Sequence, residues 1–314
     1  MKILNCISFT EEQKKLLESV PGTEYNYCTK DTVTKELLAD AEVIFGNVPV
    51  PMLQYATNLK WLQLNSAGAN QYCPVGVLPE DVLLTNAAGA YGASVSEHML
   101  AVTMAMIKKL YLYQDHQKEH AWKDEGHVLS TEQMTVLVLG MGDIGCAYAR
   151  KMKALGAYVI GVRRSALACP EGFDEVALIE NLDQVLPRAD VTAIVLPGTT
   201  ETAGMFDERR LHLMKKGSYL LNVGRGNIIH TSDLEAVMKE DYLGGVSLDV
   251  TDPEPLPADH SIWDAPNVWI TPHIAGGFHI DATLENIAAI CKENLERYLS
   301  GQELTHQVNR KNQY

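Results

Sequence analysis

Between Thr135 and Arg164 the spacing of apolar positions changes twice. Val136 to Leu139 is a short unbroken apolar run with β-branched members, which predicts a buried strand. Ile144, Tyr148, Met152 and Leu155 then recur at helical spacing, and Gly156 ends the pattern. Tyr158 to Val162 returns to a strand. The rest of the chain repeats this alternation. Strands are predicted at Lys2–Ser8, Glu24–Cys28, Val43–Phe45 and Trp61–Leu64. Helices are predicted at Thr10–Val20, with Thr10 and Gln13 forming a reciprocal cap, and at Thr32–Ala39. A long helix is predicted from Ser94 to Gln117, with Val95, Met99, Val102, Met106 and Leu110 as its apolar stripe. The polar residues from His116 to Ser130 read as an exposed connection. Strands follow at Val191–Leu196, Ser218–Val223, Gly245–Val250 and Val268–Thr271, with a helix at Ser232–Lys239. An amphipathic helix closes the chain, Asp281 to Leu299, through Leu284, Ile287, Ile290, Leu295 and Leu299. Strand–helix alternation of this kind predicts parallel sheets covered by helices.

A length of 314 residues suits about two domains. The balance of 26 basic against 40 acidic residues gives a formal charge of −14. That disfavours nucleic acid or an anionic membrane as partner, so an anionic ligand needs local cations. The six cysteines show no metal-binding spacing and read as reduced thiols of a cytoplasmic protein. No metal site is expected. No stretch is apolar enough for a signal peptide or a membrane span.

Chemistry concentrates at predicted strand ends. Gly140, Gly142 and Gly145 stand in G-x-G-x-x-G spacing between the strand at 136–139 and the following helix. That context supplies a tight turn, close approach to a pyrophosphate and close helix–strand packing, with the phosphates at a helix N-terminus. Arg225, Glu254 and His273 each follow a later strand, where a doubly wound sheet binds its ligands. A guanidinium can fork onto a carboxylate and polarise the adjacent carbonyl. An imidazole can protonate the alkoxide formed by hydride transfer. A carboxylate on its far nitrogen keeps that acid in its working state.

The segments LGMGDIG, LPGTTET, LLNVGRGNII, SLDVTDPEPLP and TPHIAG stand in the order and spacing of one family. Over nearly its whole length the chain resembles the D-isomer-specific 2-hydroxyacid dehydrogenases, nearest their glyoxylate/hydroxypyruvate reductase branch. The resemblance implies two doubly wound parallel-sheet α/β domains with the active site in their cleft. A Rossmann cofactor domain (98–281) is inserted in a flavodoxin-like substrate domain (1–97 and 282–314), usually in a homodimer. It implies that Arg225 binds substrate, that His273 is the acid/base, and that Glu254 is its partner. It implies that the amides of Ala67 and Gly68 bind the substrate carboxylate, with pocket walls near Gly46–Asn47 and Tyr91–Gly92. Asp143 and Ile144 of the glycine loop, with Pro197, Thr202, Val223, Asp249 and Gly276, would line the cofactor, Asp249 near the nicotinamide amide. Formate dehydrogenases of this fold are set apart, because Gln rather than Glu partners their histidine.

One departure concerns the cofactor. NAD-dependent members carry an acidic residue at the end of the second strand, where it bonds the ribose hydroxyls. Here Arg163, Arg164 and Ser165 stand there, and no acidic residue follows before Glu171. This set suits the 2′-phosphate of NADP, with NAD still possible. The reading is therefore an NADP-preferring reductase of a small anionic 2-keto acid. The alternative is a corepressor-like protein that senses NAD(P)(H) on the same fold.

Overall fold

The computed structural model describes residues 1–165 and 168–313. The first strands and helices are β1 (Lys2–Asn5), α1 (Glu11–Glu18), β2 (Glu24–Tyr27), α2 (Lys35–Asp40), β3 (Val43–Phe45), β4 (Trp61–Gln63) and β5 (Leu83–Thr85). There follow α3 (Gly92–Ile107), α4 (Leu110–Lys118), β6 (Thr135–Leu139), α5 (Asp143–Ala154), β7 (Tyr158–Arg163), β8 (Glu175–Leu178), α6 (Leu182–Val185) and β9 (Val191–Ile194). The last are α7 (Glu208–Leu213), β10 (Tyr219–Asn222), α8 (Thr231–Lys239), β11 (Gly245–Leu248), β12 (Val268–Ile270) and α9 (Asp281–Leu299). The chain divides into two compact units, Met1–Tyr91 with Phe278–Tyr314, and Gly92–Gly277.

The first unit carries a five-stranded parallel sheet in the order β2-β1-β3-β4-β5, the flavodoxin-like arrangement. Leu4, Ile44, Leu62 and Leu84, one from each of four neighbouring strands, belong to one buried cluster. Thr10 caps α1 as its sequence predicts. Its hydroxyl accepts from the Gln13 amide at 3.3 Å, and the Gln13 side chain accepts from the Thr10 amide at 3.0 Å. Helix α9 belongs to this unit although it follows the second in sequence. Tyr298 stacks on Trp61 at 5.5 Å, and the buried Asn294 amide donates to Gln63 at 3.0 Å. Leu299, placed on the apolar stripe by its spacing, is exposed. Cys291 and Asn294 are buried on the face that packs.

The second unit carries a seven-stranded parallel sheet in the order β12-β11-β10-β9-β6-β7-β8. The chain runs outward from β6 through β7 to β8, then returns to β9 on the other side of β6. The ends of β6 and β9 therefore flank a topological switch point of the Rossmann type.

Two elements differ from the pattern reading. The helix expected from Ser94 to Gln117 is two helices, broken where Lys109 takes a left-handed φ of 56°. Leu110, on the expected stripe, is 55% exposed. The ammonium groups of Lys108 and Lys109 donate to the carbonyls of Leu129 and Glu125, tying the break to the returning chain. Strands β5 and β8 carry no prediction from the pattern. Each is very short, and β8 is a half-buried edge strand.

Candidate active site

The three glycines after β6 serve three distinct steric needs. Gly140 has φ +103°, and a Cβ there would lie 2.9 Å from the Val195 carbonyl oxygen at the end of β9. A Cβ on Gly145 would lie 1.9 Å from the Gly140 oxygen. At Gly142 it would meet nothing within 4 Å. Gly142 is the N-cap of α5 and supplies no side-chain cap, so first-turn amides remain for an external acceptor. That open cradle fits a dinucleotide pyrophosphate. Asp143 is exposed in the first turn of α5 and Ile144 is half-buried behind it. Gly142→Ala should leave the melting temperature near wild type while weakening cofactor binding. Gly145→Ala should lower both, since the loop must move. Thermal melts with and without cofactor read the difference; equal losses of stability would show that Gly142 is a packing residue only.

At the end of β7, Arg163 is half-buried, and Arg164 and Ser165 are exposed. The Arg164 guanidinium lies 3.8 Å from the Glu201 carboxylate, a loose surface pair that sequence reasoning missed. Beyond β9, the Thr202 hydroxyl donates to the Pro197 carbonyl at 2.7 Å and accepts from the Thr199 amide at 2.8 Å. Thr202 thus fixes the 197–202 turn. Val223 is half-buried beyond β10.

Arg225 hangs from a turn built by Asn222, the last residue of β10. The buried Asn222 side chain accepts from the Gly224 amide at 3.0 Å and donates to the Arg225 carbonyl at 2.9 Å. A Cβ at Gly226 would lie 1.9 Å from the Thr251 carbonyl oxygen, so the backbones after β10 and β11 touch there. The Arg225 guanidinium donates to the Gly224 carbonyl at 2.6 Å. Burial pulls its pKa below the ordinary arginine value, and the Glu254 carboxylate opposes that shift.

His273 Nδ1 and Glu254 Oε1 lie 2.5 Å apart, both side chains partly exposed. His273 has a left-handed φ of 52°, a conformation that costs a non-glycine residue roughly 1–2 kcal/mol. Asp249, at the end of β11, holds it there. The His273 amide donates to the Asp249 carbonyl at 2.9 Å. The Asp249 carboxylate accepts from the Thr271 hydroxyl at 2.6 Å and from the Ile274 and Ala275 amides at 3.0 and 3.1 Å. Asp249 is 3% exposed, so its carboxylate is occupied in shaping the histidine loop. Gly276, half-buried, follows directly. A cavity of about 280 Å³ opens beside the pair, walled by Leu256, Trp263, Ile270 and Pro272.

In the first unit, the loop after β4 is fixed by side chains. Asn47 and Asn65 each accept the other's amide, at 2.8 and 3.1 Å. Asn47 also donates to the Ser66 hydroxyl at 3.0 Å, and Ser66 donates to the Gly68 carbonyl at 2.6 Å. The Tyr91 hydroxyl donates to the Asn65 carbonyl, and Asn86 donates to the Ala67 carbonyl at 2.8 Å. The carbonyls are thus engaged. Among the described residues, the Ala67 and Gly68 amides donate to no protein acceptor, which suits them to an anion.

The family model of the D-isomer specific 2-hydroxyacid dehydrogenase NAD binding domain matches residues 100–275. The chain belongs to the D-isomer-specific 2-hydroxyacid dehydrogenase family. A crystal structure of a family member from Aeromonas salmonicida is 31% identical, with a TM-score of 0.88 over 98% of this chain and 99% of that one. An NADPH-dependent glyoxylate/hydroxypyruvate reductase from Sinorhizobium meliloti, solved with NADP and sulfate, is 26% identical. Its TM-score is 0.85 over 100% of this chain and 99% of that one. Glyoxylate/hydroxypyruvate reductase B of Pectobacterium carotovorum is 29% identical over 281 residues, 87% of this chain and 87% of that protein.

In this dehydrogenase the second unit joins the Glu254–His273 pair and places Arg225 within its electrostatic reach. Sequence reasoning missed Asn222, the stapling by Asp249, and the bonds that Asn47, Asn65 and Ser66 make. Only Asn222 left a signal, its place in NVGRG just before the arginine. Among the described residues no group of three or more His, Cys, Asp or Glu side chains is placed to hold a metal ion. None of their helices is long and apolar enough to cross a membrane.

Proposed function

We propose that this dehydrogenase reduces a small 2-keto acid of the glyoxylate or hydroxypyruvate type to its D-2-hydroxy acid, with NADPH as reductant. The observation that carries the reading is the 2.5 Å pairing of His273 Nδ1 with Glu254, which leaves Nε2 for substrate. A bound nicotinamide supplies the hydride. The protein's own part is to bind an anion, polarise a carbonyl and deliver one proton. Arg225 takes the keto-acid carboxylate and leans its positive charge on the carbonyl oxygen. The amides of Ala67 and Gly68, which donate to no acceptor among the described residues, would be further donors to the carboxylate. As the carbonyl oxygen becomes an alkoxide, His273 Nε2 gives it a proton, and Glu254 holds the imidazole in orientation throughout. In the oxidation direction the same imidazole, neutral, takes the proton back.

The glycine loop and the α5 N-terminus would hold the pyrophosphate. Pro197, Thr202, Val223, Asp249 and Gly276 would stand along the nicotinamide half, Asp249 through the loop it shapes. Arg163, Arg164 and Ser165 would take the 2′-phosphate. A similar protein is NADPH-dependent, which supports that choice. Each charge-assisted contact contributes roughly 1.5–3 kcal/mol, so one net contact gives a preference for NADPH of about tenfold or more. The double substitution Arg163→Asp with Arg164→Ala should reverse it. The test is kcat/KM for NADPH and NADH at fixed salt, with glyoxylate, hydroxypyruvate and pyruvate as acceptors. Equal use of the two cofactors would remove the NADP part and leave the dehydrogenase. Cofactor binding without turnover of any 2-keto acid would favour the sensor. A cytoplasmic homodimer belongs to the proposal too, supported by the family resemblance.

A further inference from the structure

We propose that Cys6 and Cys28 are a redox-active dithiol that closes to an intramolecular disulfide when the protein meets a peroxide. Their sulfurs lie 3.2 Å apart, although 22 positions separate them in sequence. The sheet explains the approach. β1 and β2 pair in parallel with Asn5 opposite Tyr27, and the Cys28 amide donates to the Asn5 carbonyl at 3.0 Å. Cys6 and Cys28 are the next residues of the two strands. They therefore stand opposite each other with side chains on one face. Neighbouring parallel strands run about 4.8 Å apart, inside the Cα separation of roughly 4.4–6.8 Å that a disulfide spans. A closure of about 1.2 Å brings the sulfurs to the bond length of about 2.05 Å.

The two thiols have different surroundings. Both pack against the core of the first unit. Burial and the Cys28 sulfur beside it push the Cys6 thiol above its ordinary pKa. Cys28 opens onto the exposed turn of Thr29 to Asp31, which gives a peroxide its way in. That access sets the order of attack. The Cys28 thiolate attacks one oxygen of hydrogen peroxide and the O–O bond breaks, giving a sulfenic acid and hydroxide. That hydroxide takes the Cys6 proton and becomes water. The Cys6 sulfur then displaces the sulfenic oxygen, which leaves as a second water by taking up the proton that Cys28 lost to solvent on becoming a thiolate. Two thiols lose two electrons and one peroxide becomes two waters.

The other cysteines give internal comparisons. Cys169 is exposed with its sulfur on the Phe173 carbonyl, and Cys291 is fully buried. Neither has a cysteine partner among the described residues.

The test uses the full-length protein, treated with one equivalent of hydrogen peroxide, alkylated with iodoacetamide and digested with trypsin. Cleavage after Lys2, Lys14, Lys15 and Lys30 puts Cys6 and Cys28 on separate peptides. The expected product is those two peptides linked, lost on reduction with dithiothreitol. Cys6→Ser should instead leave Cys28 as a sulfenic acid that dimedone captures. Cys28→Ser should leave Cys6 largely alkylatable only after unfolding. Two results overturn the proposal. One is wild-type protein in which Cys28 is over-oxidised while Cys6 still alkylates as a free thiol. The other is a mixture in which Cys169 oxidises first and the linked peptides never form.

Discussion

Replacing Arg225 with alanine should lower kcat/KM for the keto acid by about 10²–10⁴. The figure follows from losing a two-pronged contact, each charge-assisted hydrogen bond contributing roughly 1.5–3 kcal/mol. Cofactor affinity should stay near wild type, because nothing in the glycine loop depends on this side chain. The turn should survive too. Asn222 grips the main chain at Gly224 and Arg225 rather than the guanidinium, so truncation leaves both bonds in place. Arg225→Lys should recover only part of the rate, since an ammonium has no planar fork. Steady-state kinetics together with a cofactor titration check all of this. An alanine variant that turns over near the wild-type rate would remove Arg225 from the substrate site. A variant that loses cofactor binding in proportion would move it to the other ligand.

The sequence carried the fold because strand and helix periodicities alternate cleanly, and because three glycines sit where a strand meets a helix. Each of those glycines meets a different steric requirement, which is why their spacing is informative. Strand β8 was not legible for the opposite reason. Glu175 to Leu178 is half-buried throughout at a sheet edge, and its apolar run Val176 to Leu178 continues into Ile179 of the next helical turn, so neither alternation nor a boundary marks a strand. The break at Lys109 was hidden because the apolar stripe continues across it. Only the lysine bonds to a distant loop reveal why the helix stops. The histidine, its carboxylate and the arginine were legible one by one, each just past a strand. What positions them was not. Asn222 and Asp249 act through main-chain amides and carbonyls, and such bonds leave no side-chain pattern to read. The Cys6–Cys28 contact was invisible for a related reason: strand register, not spacing along the chain, brings the two together.

Glu254→Gln should lower kcat/KM for reduction without abolishing it. The carboxylate stands 2.5 Å from His273 Nδ1, which fixes the ring and leaves Nε2 for the substrate oxygen. An amide keeps a hydrogen-bonding atom in place and removes the charge. A charge-assisted hydrogen bond contributes roughly 1.5–3 kcal/mol, and both side chains are partly exposed so that water screens the pair, which puts the fall at about tenfold. His273→Ala has no such remedy. Losing the proton donor should lower reduction by about 10²–10⁴ across the whole pH range. The discriminating measurement is kcat/KM for reduction in wild type, Glu254→Gln and His273→Ala. If Glu254→Gln keeps the wild-type rate while His273→Ala remains nearly inactive, the carboxylate does not position the ring. If His273→Ala retains wild-type reduction, the proton comes from elsewhere.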